Sequence, residues 1–150
     1  AAEIGTSKIV ENEKISILND NTLNAVFTLP AEIFYPGASV SACCMVFTLG
    51  KPHVDTDGTV SETFFGYYKE DGFKKKKNLG RVEQFDESGH SKWKIIEDNW
   101  VRLYRKKIVV DGLSAIEEVS GRDEWLCEAY MKTDYSTLSK SDLNLKMFFG

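Results

Sequence analysis

The chain has no adjacent prolines, no two glycines separated by a single residue, and no surplus of positive charge. The glycine spacing excludes a Gly-x-Gly-x-x-Gly dinucleotide loop, and no phosphate loop is present either. A formal net charge of −4 excludes a global basic field, so any nucleic-acid contact must come from a local patch. Only two histidines occur, His53 and His90, far from each other and from the cysteines, so no metal-ligand spacing exists. The three cysteines, Cys43, Cys44 and Cys127, are odd in number. The adjacent pair lies in an apolar strand and points to opposite faces, which suits buried free thiols in a reducing compartment better than a disulfide framework. The longest apolar run covers residues 42–47, too short for a membrane span or a signal peptide, and a cytoplasmic protein is expected.

What is there suffices for a core. Apolar residues make up 42% of the chain, and 150 residues fit one domain or part of one. Residues 6–19 (TSKIVENEKISILN) read as a helix with Ile9 or Val10, Ile17 and Leu18 inward and Thr6 or Ser7 as cap. Asp20-Asn21 reads as a turn. Residues 23–29 alternate with a period of two, placing Leu23, Ala25, Phe27 and Leu29 on one face of a strand that Pro30 ends. Residues 31–39 form a loop. Residues 40–49 are apolar enough to predict a strand covered on both faces. Residues 52–62 are turn-rich and predict a surface loop. Residues 63–68 (TFFGYY) predict a third strand. Residues 74–81 (KKKKNLGR) carry no periodicity.

Residues 93–107 give the clearest helix. Trp93, Ile96, Trp100, Leu103 and Tyr104 share one face, Ser91 is the cap, and Arg105, Lys106 and Lys107 suit the C-terminal dipole end. Residues 108–110 extend it before Asp111-Gly112. Residues 113–119 are ambiguous, with an edge strand as one reading. Residues 123–131 predict a short helix with Trp125, Leu126, Ala129 and Tyr130 inward. Residues 133–150 are polar and weakly patterned, as in a truncated or poorly ordered tail.

The most informative stretch is residues 23–51, LNAVFTLPAEIFYPGASVSACCMVFTLGK. A strand runs into Leu29-Pro30, an aromatic turn follows at Phe34-Tyr35-Pro36-Gly37, and an apolar strand ends in Gly50-Lys51. This resembles the segment downstream of the catalytic motif in N6-adenine DNA methyltransferases, in particular the modification subunits of type I restriction-modification systems. There the order is roughly an apolar strand, Leu-Pro, a variable pair, Phe-x-Pro, and a strand that closes the sheet. Tyr67-Tyr68-Lys69-Glu70-Asp71-Gly72-Phe73 resembles the following strand and Asp-Gly-Phe turn. Leu79-Gly80-Arg81-Val82, Asp123-Glu124-Trp125, Glu128-Ala129-Tyr130 and Thr133-Asp134-Tyr135-Ser136 resemble stretches of a sub-branch. Together these cover most of residues 20–137.

The family's Asn/Asp-Pro-Pro-Tyr/Phe loop and its Gly-rich S-adenosylmethionine loop lie upstream and are not in this sequence. The resemblance therefore implies a single-domain fragment. Its expected fold class is α/β, a partial three-layer sandwich forming the C-terminal portion of a Rossmann-like S-adenosylmethionine-dependent methyltransferase sheet with flanking helices. The parent would be a site-specific adenine methyltransferase using S-adenosylmethionine on DNA, alongside specificity and restriction subunits. The fragment alone is expected to bind no cofactor and to be inactive.

The chemistry implied is base extrusion. Methylating adenine N6 in a duplex requires rotating the base out of the stack, and an aromatic side chain replaces the lost stacking. The resemblance gives that part to Phe34, with Tyr35 as second choice, while Pro36 and Gly37 shape the loop. The plain reading of Phe34 and Tyr35 is a pair of aromatics packed beside a turn. Lys74, Lys75, Lys76 and Lys77 form the one local basic run, extended by Lys69 and Arg81. It reads either as a phosphate contact or as a solvated loop offsetting Glu70, Asp71 and Glu83, which is what charge runs usually are. Cys43 and Cys44 are expected in the core, His53 and His90 in surface loops, and Trp93 and Trp100 in the buried helix stripe.

Two other readings stand beside the enzyme fragment. One is a non-catalytic subunit-docking or DNA-binding module, marked by an uncovered apolar patch. The other is an unrelated α+β domain, marked by a sheet in which strands 23–29, 40–49 and 63–68 are not neighbours.

Overall fold

The computed structural model describes residues 8–132. Helix α1 (Lys8–Asp20) runs straight into strand β1 (Asn21–Thr28) with no intervening turn. The expected Asp20-Asn21 turn is replaced by capping. The Asn21 amide donates to the Ile17 carbonyl at 3.0 Å, and the His53 backbone N–H donates to that of Leu18 at 3.0 Å. Both partners satisfy carbonyls that a helix C-terminus leaves free. The inward face of α1 is narrower than its apolar pattern: Leu18 and Lys14 are buried, whereas Ile9 and Ile17 are exposed. Lys14 donates its ammonium to the Asp123 carbonyl and lies 5.1 Å over the Trp125 ring. The expected caps Thr6 and Ser7, and the tail from residue 133, lie outside the described residues.

β1 is central in a mixed four-stranded sheet with β2 (Cys43–Leu49), β3 (Thr63–Tyr67) and β6 (Ser114–Glu117), ordered β2-β1-β3-β6. β1 pairs antiparallel with β2 and parallel with β3, and β3 pairs antiparallel with β6. The expected adjacency of the first three strands holds, and the uncertain segment 113–119 does contain an edge strand. Strict alternation along β1 does not hold. The β1–β2 register shifts between Leu23 and Ala25, and this bulge carries Leu23 to the face opposite Ala25 and Phe27.

One face of the sheet packs Leu23, Val26 and Phe65 against Leu18 of α1 and against Val119, Trp125 and Cys127. The other packs Ala25, Phe27, Phe64 and Tyr68 against Trp100, Leu103 and Tyr104 of α2 (Lys92–Lys106). The molecule is therefore a mixed α/β sandwich with helices flanking the sheet. Gly66 in β3 makes the second face possible: a Cβ there would lie 2.7 Å from the Tyr68 ring and 2.8 Å from Phe27. Ser91 caps α2 by accepting from the Lys94 N–H, and Lys107 closes the helix at φ 53°.

Four expectations need correction here. Strand 40–49 is shorter, and it is an edge strand covered only in part, because among the described residues no strand pairs beyond it; Cys44 is exposed and Cys43 half-buried. His53 is fully buried. Its Nδ1 accepts the Leu23 N–H at 3.2 Å, so this loop residue closes the backbone of β1 at its bulge. Residues 123–131 hold only a 3-10 turn at Cys127–Ala129, because the buried groups are Trp125 and Cys127, spaced as in an extended segment. Residues 108–110 are coil.

Candidate nucleic-acid interface

Residues 74–81 are not an unstructured loop. Strands β4 (Phe73–Lys76) and β5 (Gly80–Glu83) form an antiparallel hairpin pairing Phe73 with Glu83, Lys74 with Val82, Lys75 with Arg81 and Lys76 with Gly80. The turn is Lys77-Asn78-Leu79, with Asn78 at φ 66° and Gly80 at φ 77°. Asn and Gly are the residues that tolerate this left-handed backbone, so the signal was present in Asn-Leu-Gly.

Alternation then sorts the charges. Phe73, Lys75, Arg81 and Glu83 share the inner face, and Lys74, Lys76 and Val82 share the outer one. On the inner face Arg81 grips both Asp71 carboxylate oxygens, at 2.8 and 2.6 Å, with side chains only 16% and 9% exposed. Lys75 lies 3.3 Å from Glu32 and 4.4 Å over the Tyr35 ring. Glu83 accepts from the Ser91 hydroxyl, tying the hairpin to the start of α2. Lys69 lies 5.0 Å over Tyr67, and a hydrogen bond to that residue raises its pKa. Lys74, Lys76 and Lys77 are exposed and make no ion pair among the described residues.

The Lys75 contacts join the two regions singled out in the sequence. The aromatic loop is a series of tight turns, with Ile33, Tyr35 and Ala38 donating their N–H groups to the carbonyls of Pro30, Glu32 and Phe34. Pro36 approaches Gly80 of the hairpin. Tyr35 is half-buried with a ring face taken by Lys75, whereas Phe34 is 52% exposed. A hollow of about 270 Å³ separates loop and hairpin, lined by Pro30, Glu32, Lys69, Asp71 and Arg81.

Further concavities lie among the described residues. One, of about 320 Å³, has an almost wholly apolar lining of Phe27, Leu29, Cys44, Tyr68, Trp100 and Tyr104. There Tyr68 stacks on Trp100 at 4.5 Å and on Phe27 at 5.3 Å. Burial pushes the Tyr68 phenol upward. The other, of about 540 Å³, lies between Ile15 and Leu18 of α1, His53, and the Ser120-Gly121-Arg122 turn. Burial lowers the pKa of His53, and its Nε2 lacks a well-formed hydrogen bond although the Val119 carbonyl offsets part of that effect. His90 is exposed as expected and pairs with Asp86 at 3.4 Å. Among the described residues no acidic, thiol and imidazole group clusters as a metal site, and no helix is long and apolar enough to cross a membrane.

Sequence reasoning missed the buried His53, the buried Lys14 and the Arg81–Asp71 pair. The first two had no local signal, since both owe their burial to the 119–125 segment or to β1 far along the chain.

The sequence matches no protein-family profile and no curated protein. A solved structure described as a modification subunit of a type I restriction enzyme from Vibrio vulnificus YJ016 aligns with a TM-score of 0.47 and 14% sequence identity. The alignment covers 76% of this chain and 20% of that one, so the chain spans a fifth of the length of the structure it aligns with. A likeness of this order decides nothing about the chemistry.

Proposed function

We propose that the chain supplies the sheet-closing strands and one wall of the target-base pocket of an adenine-N6 DNA methyltransferase of the type I modification kind. The observation that carries this reading is the order β2-β1-β3, with β2 an open edge among the described residues. The three segments of the resembling region pair as neighbours, and among the described residues the sheet stops at a strand whose side chains are nearly all apolar yet none fully buried, as it would if it continued into a preceding part of the parent. On this reading the sheet is the closing portion of a Rossmann-like one.

Phe34 is the base-stacking residue of the pair. It stands free, whereas Tyr35 is engaged by Lys75 and positions the loop. S-adenosylmethionine would be held by the parent's own glycine-rich loop. The residues present do not fit that group: the glycines of closest approach, Gly66, Gly72 and Gly121, are crowded by Tyr68, by Trp93 with Lys92, and by Ile15. Specificity and restriction subunits would be the parent's partners.

The test has two stages. The upstream reading frame should encode an Asn/Asp-Pro-Pro-Tyr/Phe loop preceded by a Gly-rich strand turn, and a start codon at Ala1 would overturn the fragment reading. In the parent, Phe34→Ala should lower adenine methylation by about 5- to 150-fold, the equivalent of about 1–3 kcal/mol of base stacking, with S-adenosylmethionine binding retained.

A subunit-docking module is the second reading, favoured by the apolar hollow beside α2. If the parent has no methyltransferase motifs, this reading leads.

A further inference from the structure

We propose that the outer face and tip of the β4–β5 hairpin form a nucleic-acid backbone contact, with Lys74, Lys76 and Lys77 as the phosphate ligands and Lys75 and Arg81 excluded from that role. This deepens the DNA reading above, and rests on it only for choosing nucleic acid among polyanions.

The division follows from pairing. The carboxylates that pair with hairpin side chains do so on its inner side, Asp71 with Arg81 and Glu32 with Lys75, and Glu83 shares that face. They engage Lys75 and Arg81 there, Arg81 in a largely buried pair. The outer face carries Lys74, Lys76 and Val82 with no acidic residue, and Lys77 follows in the turn. Two lysines on the same face of a strand are about 7 Å apart, a separation suited to neighbouring phosphates of one strand. The net charge of −4 does not cancel this arrangement, because the three outer lysines have no ion-pair partner among the described residues.

The choice of nucleic acid over an acidic protein surface comes from the DNA reading above, and two exposed apolar side chains adjoin the hairpin. Leu79, 72% exposed, stands at the tip between Lys77 and the outer face. Phe34 is exposed on the loop that Lys75 and Pro36 fasten to the same hairpin.

The experiment is fluorescence-anisotropy binding of the 150-residue chain to a labelled duplex of arbitrary sequence at 50–200 mM salt. A single strand of the same sequence and phosphatidylserine vesicles form separate arms. Three phosphate contacts predict a log–log slope of about −2.7 on the duplex, a loss of about 40-fold in affinity over that range. A slope of about −2 with tighter binding to the single strand supports the same lysines acting on single-stranded nucleic acid. Lys74→Gln, Lys76→Gln and Lys77→Gln should each shallow the duplex slope by about 0.9, while Lys75→Gln leaves it unchanged. Retained binding by the triple variant, an equal effect of Lys75→Gln, absence of binding, or binding to vesicles alone overturns the proposal. None of these depends on methylation, so failure here and failure of the methyltransferase reading are separable.

Discussion

The two faces of the central sheet are built from similar residues and finished differently. The face bearing Leu23, Val26 and Phe65 is closed by α1 and by the 119–131 segment, which brings Trp125, Cys127 and Tyr130 onto it. Among the described residues the opposite face is covered by α2 with Ile108 and Leu113 of the segment that follows it. Four strands about 4.8 Å apart span roughly 14 Å between the outer two, and a helix with side chains covers about 10–12 Å. α2 sits toward β3, so an apolar hollow remains over β1 and β2. The closed face reads as a finished core. The open face adjoins the edge of β2 that pairs with no further strand among the described residues.

Substitutions can break or sharpen that contrast. The largest effect is expected on the closed face. Phe65 is fully buried and packs 4.6 Å from Tyr130, so Phe65→Ala should cost about 3–5 kcal/mol in urea unfolding. A loss under about 1 kcal/mol would mean that this face is not the finished core.

His53 should come next. His53→Phe removes the acceptor of the buried Leu23 N–H and should cost about 1–3 kcal/mol. The pH dependence has a fixed sign. His53 is held neutral in the fold with its pKa below the ordinary 6.5, so the unfolded chain takes up the proton first. Its contribution is complete above that value and is lost as pH falls below it. Unfolding midpoints from pH 7.5 to 5 should therefore drop more steeply in the parent sequence than in His53→Phe; parallel curves would contradict the buried neutral ring.

The smallest effect belongs to the open face. Val101 lines the hollow and is exposed, so Val101→Ser should change stability by no more than about 0.5 kcal/mol while reducing binding of an apolar dye. A loss above about 1 kcal/mol would show that the hollow is closed in solution.

Local pattern was legible where one element decides its own face. The stripe from Trp93 to Tyr104, the Ser91 cap and strand β3 follow from residue spacing. The aromatic loop and the basic run were also legible as separate features. That Lys75 joins them, with Glu32 43 residues away, was not. Alternation along β1 failed for a tertiary reason, since a bulge against β2 turns Leu23 to the other face. Arg81 looked like part of a cationic surface because its partner Asp71 sits ten residues away, across the foot of a hairpin that periodicity did not show.

Sequence by itself determined the elements whose apolar spacing needs no partner to interpret: two helices, three strands and, as separate features, a short basic run and an aromatic turn. Tertiary structure decided which strand is the edge, which histidine is buried and which lysines remain unpaired. Each of those depends on which distant carbonyl, carboxylate or ring comes within a few ångströms, and that proximity is created only when the sheet, the hairpin and the 119–131 segment pack together.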